Sequence, residues 1–105
     1  MTVFQTKIDP ASESFAQNRS DMLELIGKLR SYEARAAALS ERRKPRFEER
    51  GQLTPRERLV RLLDPGMPFQ SIYNMANFQV DDPDPETSVP GANVIVGIGF
   101  VGGVR

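Results

Sequence analysis

The feature that most constrains this chain is an apolar repeat of seven. Phe15, Met22, Leu29 and Ala36 form one row, and Leu25, Tyr32 and Leu39 form another, broken by Asn18. A period near 3.5 belongs to a helix with one apolar seam, sustained here over more than three heptads. Such a stripe does not stay wet, and a lone helix has nothing to cover it. It is covered either by the chain's own domain or by another subunit, and the repeat alone leaves both open. The helix is expected to begin near Ser14, with Gln17 placed to complete a capping box. Residues 1–13 contain Pro10 and lack periodicity, so they read as a mobile N-terminal arm.

A second helical stretch covers Glu41 to Gly51. Pro45 suits a first turn and disrupts a helix interior, so a restart near Lys44 is expected, with Gly51 as the closing cap. The third helix has the strongest local signals. Thr54 caps, Pro55 takes the first helical position, and Glu57 completes a capping box. Leu59, Leu62 and Leu63 give it an apolar face, and Asp64-Pro65-Gly66 ends it. These helices make residues 14–66 a helical entry segment.

Beyond it the period changes. Phe69, Ile72 and Tyr73 suggest a short strand, Asp81 to Pro85 a proline-broken acidic loop, and Asn93 to Val101 a β-branched strand containing Gly97 and Gly99. Glycines inside a strand mark a bulge or a close backbone approach. The strand 93–101 has no evident partner, and Gly102-Gly103 should turn into one lying past Arg105. Residues 67–105 are therefore expected to be the first strands of a truncated domain. The whole reads as the leading end of a larger protein, whose exposed apolar surface would make the isolated chain self-associate or partly unfold.

Chemistry is limited by what is missing. There is no Cys and no His among the 105 residues, which removes disulfides, thiolate metal sites and the commonest general base. No apolar run approaches the ~20 residues of a membrane span, so a cytoplasmic setting is expected. Asp81, Asp82 and Asp84 could suggest a hard-metal site, but a solvated loop is the better reading, and no metal is expected. Gly97-Ile98-Gly99 does not open a helix and fails the dinucleotide fingerprint. No residue of the chain is assigned a catalytic role.

The formal charge of zero conceals a split: residues 28–61 carry a net +6 and residues 62–90 a net −5. The basic stretch centres on Arg42, Arg43, Lys44, Arg46 and Arg50. It is either a solvated helix end, with arginine stems covering apolar surface, or a site for phosphate, which guanidinium forks bind bidentately. Nucleic acid is disfavoured, since few aromatics are interleaved with the charges.

One segment carries a resemblance. Arg50-Gly51-Gln52-Leu53-Thr54-Pro55-Arg56-Glu57-Arg58-Leu59 is followed by Leu62-Leu63-Asp64-Pro65-Gly66, then Pro68-Phe69, then Pro90-Gly91 through Gly97-Ile98-Gly99. In order and spacing this resembles the opening of carboxyltransferase β subunits of biotin-dependent acyl-CoA carboxylases, over roughly Met22 to Arg105. Leu39-Ser40 stands where many members have a glycine run, and Phe100 where many have Arg. The Pro68-Phe69 step looks closer to methylcrotonyl- or geranyl-type members than to propionyl-type ones.

The resemblance implies an α/β chain: N-terminal helices plus the first strands of a crotonase-like (ClpP/crotonase) ββα superhelix, left incomplete. It implies transfer of a carboxyl group from carboxybiotin to an acyl-CoA, with the glycine-rich catalytic loops lying beyond Arg105. Biotin is expected on a partner α subunit bearing biotin carboxylase and biotin carrier functions, and no cofactor on this chain. A homo-oligomer of β subunits is also implied, with Arg42, Arg43, Lys44, Arg46 and Arg50 as candidate contacts to CoA phosphates. The rival from another class is a free-standing helical interaction module without catalysis.

Overall fold

The structure is a computed structural model that describes residues 2–91 and 94–105. It contains helix α1 (Glu13–Glu48), helix α2 (Pro55–Leu62) and strands β1 (Gln70–Ile72) and β2 (Val96–Ile98). By compactness the chain divides into residues 1–30 and residues 31–105.

In the first unit the chain turns at Asp9, whose carboxylate accepts from the Ala11 N–H at 3.0 Å. The helix is capped by Ser12, not Ser14: Ser12 Oγ accepts from the Phe15 N–H at 3.2 Å. Ser14 lies inside the helix, and Gln17 donates forward to Asp21 at 2.7 Å in place of the expected box. Pro10 explains the earlier start, because the helix can begin as soon as the proline is passed and Ser12 is the first capping side chain beyond it. Along this half of the seam Met22, Leu25 and Leu29 are exposed.

The expected break near Lys44 does not occur. α1 runs for 36 residues through Pro45, so there are two helices where the sequence suggested three. Pro45 removes one ladder bond, to the carbonyl of Glu41, within a turn of the helix end and on an exposed face. The termination at Gly51 is as expected. Gly51 has φ +64°, its N–H reaches the Glu48 carbonyl at 2.9 Å, and the Gln52 N–H reaches the Phe47 carbonyl at 2.9 Å. Those two bonds make a Schellman closure.

α2 starts as its sequence indicates. Thr54 Oγ1 accepts from the Glu57 N–H at 3.2 Å, while Glu57 Oε2 accepts from the Thr54 N–H at 2.8 Å. Thr54 is 4% exposed, so this cap sits away from water. Thr54→Ala is expected to cost about 0.5–2 kcal/mol in the intact protein, and Gln52→Ala much less. Equal losses in chemical denaturation would contradict the cap.

The strand 93–101 is not left unpartnered. β2 pairs antiparallel with β1, in the register Gln70 with Ile98, Ser71 with Gly97 and Ile72 with Val96. β1 is shorter than expected because Tyr73 takes φ +60° and turns out of it; Asn93 lies outside the described residues. Gly97 and Gly99 do mark a close approach. A Cβ on Gly97 would strike the Phe69 ring and come within 2.6 Å of the Gln70 carbonyl, and one on Gly99 would lie 2.5 Å from Leu63 Cδ2. Gly102 and Gly103, both with positive φ, form a two-residue turn that returns Val104 to pair with Val101 within the chain.

Asp64 ties the turn to the end of α2. Its two carboxylate oxygens accept from the Gly102 and Gly103 N–H groups, each at 2.7 Å, while its own N–H donates to the Phe100 carbonyl at 2.9 Å. The Asp64-Pro65-Gly66 stop and the double glycine are thus two halves of one contact.

Tyr32 stacks on Phe78, with ring centroids 4.8 Å apart. Arg35 lies over the Tyr32 ring and donates to the carbonyls of Pro85 and Ser88 at 2.7 and 2.9 Å. The chain's own loop thereby covers the seam at Tyr32. Pro90 apart, no apolar side chain among the described residues is buried, and the core is a half-buried layer.

Candidate functional site

The acidic loop is held by its own carboxylates. Asp82 accepts from the Asp84 N–H and the Thr87 hydroxyl, and Asp84 from the Glu86 N–H. The Thr87 hydroxyl, then the Asp84 N–H, hold the Asp82 carboxyl below its usual range. Asp81 accepts from the Asn77 amide at 2.5 Å. These side chains serve turn amides and hydroxyls, so the loop is more ordered than a merely solvated one. Among the described residues, no three acidic side chains gather as a metal site.

Two concavities stand out among the described residues of the second unit. The larger, about 610 Å³, runs between the rear half of α1, the start of α2, the strands and the acidic loop. Ala36, Leu39, Phe47, Ile72 and Val96 supply apolar walls, while Glu33, Asp81, Asp82, Arg43 and Arg56 supply charges of both signs. The smaller, about 180 Å³, is lined by Arg43, Arg46, Phe47 and Arg50 alone. These residues stand at i, i+3, i+4 and i+7, so one helix face and the start of its closure bring three arginine stems beside one phenyl ring.

The five basic candidates therefore separate. Arg43, Arg46 and Arg50 come together, whereas Arg42 and Lys44 line neither concavity. Lys44 Nζ lies 2.8 Å from Glu57 Oε1 and 4.0 Å from Glu48 Oε1. The Lys44 ammonium, then the Thr54 N–H, lower the Glu57 carboxyl to about 2; the Glu57 bond in turn raises Lys44 above its usual range. No carboxylate lies within 4.0 Å of the Arg42, Arg43, Arg46 or Arg50 guanidinium among the described residues. Lys44 bridges the two helices and, of the five candidates, has the least freedom to take a ligand.

The Glu57 shift has a pH consequence with a definite sign. A carboxyl whose pKa is depressed by folding stabilises the fold above the unfolded value of 4.5, and that contribution fades as the pH falls toward 2. Between those limits the wild-type protein is expected to lose more stability than Lys44→Met, measured by denaturant titration at stepped pH. Parallel losses would remove the ion pair as the cause.

Phe47 was not singled out by sequence reasoning as a site residue, although its spacing of four from Arg43 and three from Arg50 places it on their face. Glu57 as the partner of Lys44 was equally hidden, because the sequence assigns it wholly to the cap.

No protein-family model matches the chain. It is 43% identical over 93 residues to the biotin-dependent 3-methylcrotonyl-coenzyme A carboxylase beta1 subunit of Mycobacterium tuberculosis, covering 86% of the chain and 16% of that relative. It is 34% identical over 97 residues to the mitochondrial methylcrotonoyl-CoA carboxylase beta chain of Arabidopsis thaliana, covering 91% of the chain and again 16% of the relative. The crystal structure of the Pseudomonas aeruginosa geranyl-CoA carboxylase beta subunit superposes with TM-score 0.79 at 38% identity, over 99% of this chain and 19% of that one. Over nearly its whole length the chain is related to the β subunits of biotin-dependent acyl-CoA carboxylases. It spans about a sixth of the length of the curated β subunits it matches, and its α/β content fits the geranyl-CoA carboxylase β subunit.

Proposed function

We propose that this chain forms part of a carboxyltransferase β subunit that moves a carboxyl group from carboxybiotin, carried by a partner α subunit, to an acyl-CoA. The carrying observation is the superposition of nearly the whole chain on the geranyl-CoA carboxylase β subunit. The α/β elements here then enter a crotonase-like ββα superhelix. Carboxybiotin supplies an activated carboxyl group, and this chain's part is to bind and orient. A branched or unsaturated acyl group is favoured by the methylcrotonyl and geranyl names of the relatives. Cytoplasmic location and a homo-oligomer of β subunits belong to the same reading. Exposed Met22, Leu25 and Leu29 offer apolar surface for subunit contact.

One or two members of the basic cluster are assigned to CoA phosphates within this reading. Arg42, Arg43, Lys44, Arg46 and Arg50 are the densest cations available, and a charge-assisted phosphate contact far from the reacting carbon strengthens binding without favouring the transition state. Loss of such a contact is expected to raise KM for acyl-CoA about tenfold, with kcat little changed. The experiment is carboxylation by the full-length protein with its biotin-bearing partner, ATP and labelled bicarbonate. Incorporation into methylcrotonyl- or geranyl-CoA above propionyl-CoA is expected. Absence of incorporation into every acyl-CoA would sink the function, and unchanged KM in all five alanine variants would sink the site.

A further inference from the structure

The apolar seam of α1 is covered in one unit and bare in the other. In residues 31–105 the chain's own loop lies over it at Tyr32, where Phe78 stacks and Arg35 donates to the Pro85 and Ser88 carbonyls. In residues 1–30 Met22, Leu25 and Leu29 are 56, 60 and 42% exposed, and no described side chain is buried. A helical segment of this length is marginal in water unless its apolar face is packed. The charges along it select a partner. Residues 13–24 hold Glu13, Asp21 and Glu24 against Arg19, a net −2, while residues 25–30 hold Lys28 and Arg30, a net +2. A second helix of the same sequence running antiparallel sets each acidic end on a basic one, whereas a parallel copy sets like on like.

We propose that residues 13–30 pair antiparallel with the same segment of a second copy of this chain. The pairing rests on the homo-oligomer reading above and gives it a specific contact. A two-fold axis passing between Leu23 and Glu24 sets Met22 of each copy against Leu25 of the other. Asp21 and Lys28 each stand one residue before a seam position, Met22 and Leu29, so both lie on one flank of the seam. In an antiparallel pair that flank faces its own counterpart, and Asp21 of each copy meets Lys28 of the other. Asn18, which breaks the second row, then falls opposite Leu29. A polar residue within a seam costs stability and disfavours shifted registers.

The test is positional crosslinking in the full-length protein, with any reactive cysteine outside this chain replaced by serine. Two tagged forms, Met22→Cys and Leu25→Cys, are co-expressed, purified together and mildly oxidised. A disulfide needs Cα atoms within about 7 Å, so Met22-to-Leu25 crosslinks between copies are expected to exceed like-with-like ones about tenfold. Asp21→Lys or Lys28→Asp alone, added to both forms, should slow that crosslink about threefold or more, because two attractive pairs become repulsive. Both changes together exchange the charges and should restore the rate, which a merely local effect of either substitution would not do. A preference for like-with-like crosslinks would mean a parallel pair, and would overturn the proposal, as would failure of the double exchange to restore the rate. Cysteines that do not crosslink but are shielded from a thiol reagent in an assembled protein would show that another part of the subunit, or the α subunit, covers the seam; that too would overturn it. Sedimentation separates this from failure of the underlying reading: a monomeric full-length protein would overturn the homo-oligomer itself, and the pairing with it.

Discussion

Asp64→Ala is expected to destabilise the intact protein by about 2–4 kcal/mol, because one carboxylate receives two successive backbone N–H groups. A hydrogen bond to a charged group contributes about 1.5–3 kcal/mol, and partial exposure of Asp64 keeps the pair below a simple doubling. Alanine leaves the Gly102 and Gly103 donors to water and releases the turn from the end of α2. Asp64→Asn retains one acceptor and loses the charge, so roughly half the effect should remain. Chemical denaturation gives the free energies, and amide exchange at Gly102 and Gly103 reports the turn itself. Wild-type exchange at both glycines in Asp64→Ala would show that the carboxylate does not hold them.

Gly97→Ala should be at least as damaging, for a steric reason. Its added methyl would meet the Phe69 ring and the backbone carbonyl of Gln70, the latter at 2.6 Å. The carbonyl belongs to the paired strand and moves only if β1 and β2 separate. Overpacking of this kind costs about 1–3 kcal/mol and more where backbone must shift. Gly99→Ala is the internal control. Its methyl would lie 2.5 Å from Leu63 Cδ2, the tip of a side chain that can rotate away, so a loss under about half that of Gly97→Ala is expected. Equal losses at the two glycines, measured by denaturation of the full-length protein, would remove the backbone clash as the cause.

Local signals were legible wherever a few adjacent residues decide the outcome. Thr54, Pro55 and Glu57 specify the start of α2 because cap, first position and box lie within four residues. Gly51 specifies the end of α1 because a left-handed residue is needed there and glycine adopts it without strain. The same local reasoning misplaced the first cap by two residues and broke α1 at Pro45, since one missing N–H near a helix end is too small a loss to stop a long helix.

Contacts across long separations were beyond the sequence. Asp64 with Gly102 and Gly103, Arg35 with Pro85 and Ser88, and Lys44 with Glu57 join residues from 13 to 53 positions apart. In each, the donor or acceptor already has a plausible local or solvent role, so nothing in its neighbours announces the distant one. The basic cluster shows both sides of this. Its composition and its position near a helix end were set by the sequence, and with them a local excess of positive charge. Which of its members share a pocket, and which is withdrawn into an ion pair, was decided only when α2 placed Glu57 against Lys44 and the helix face gathered Arg43, Arg46 and Arg50 around Phe47.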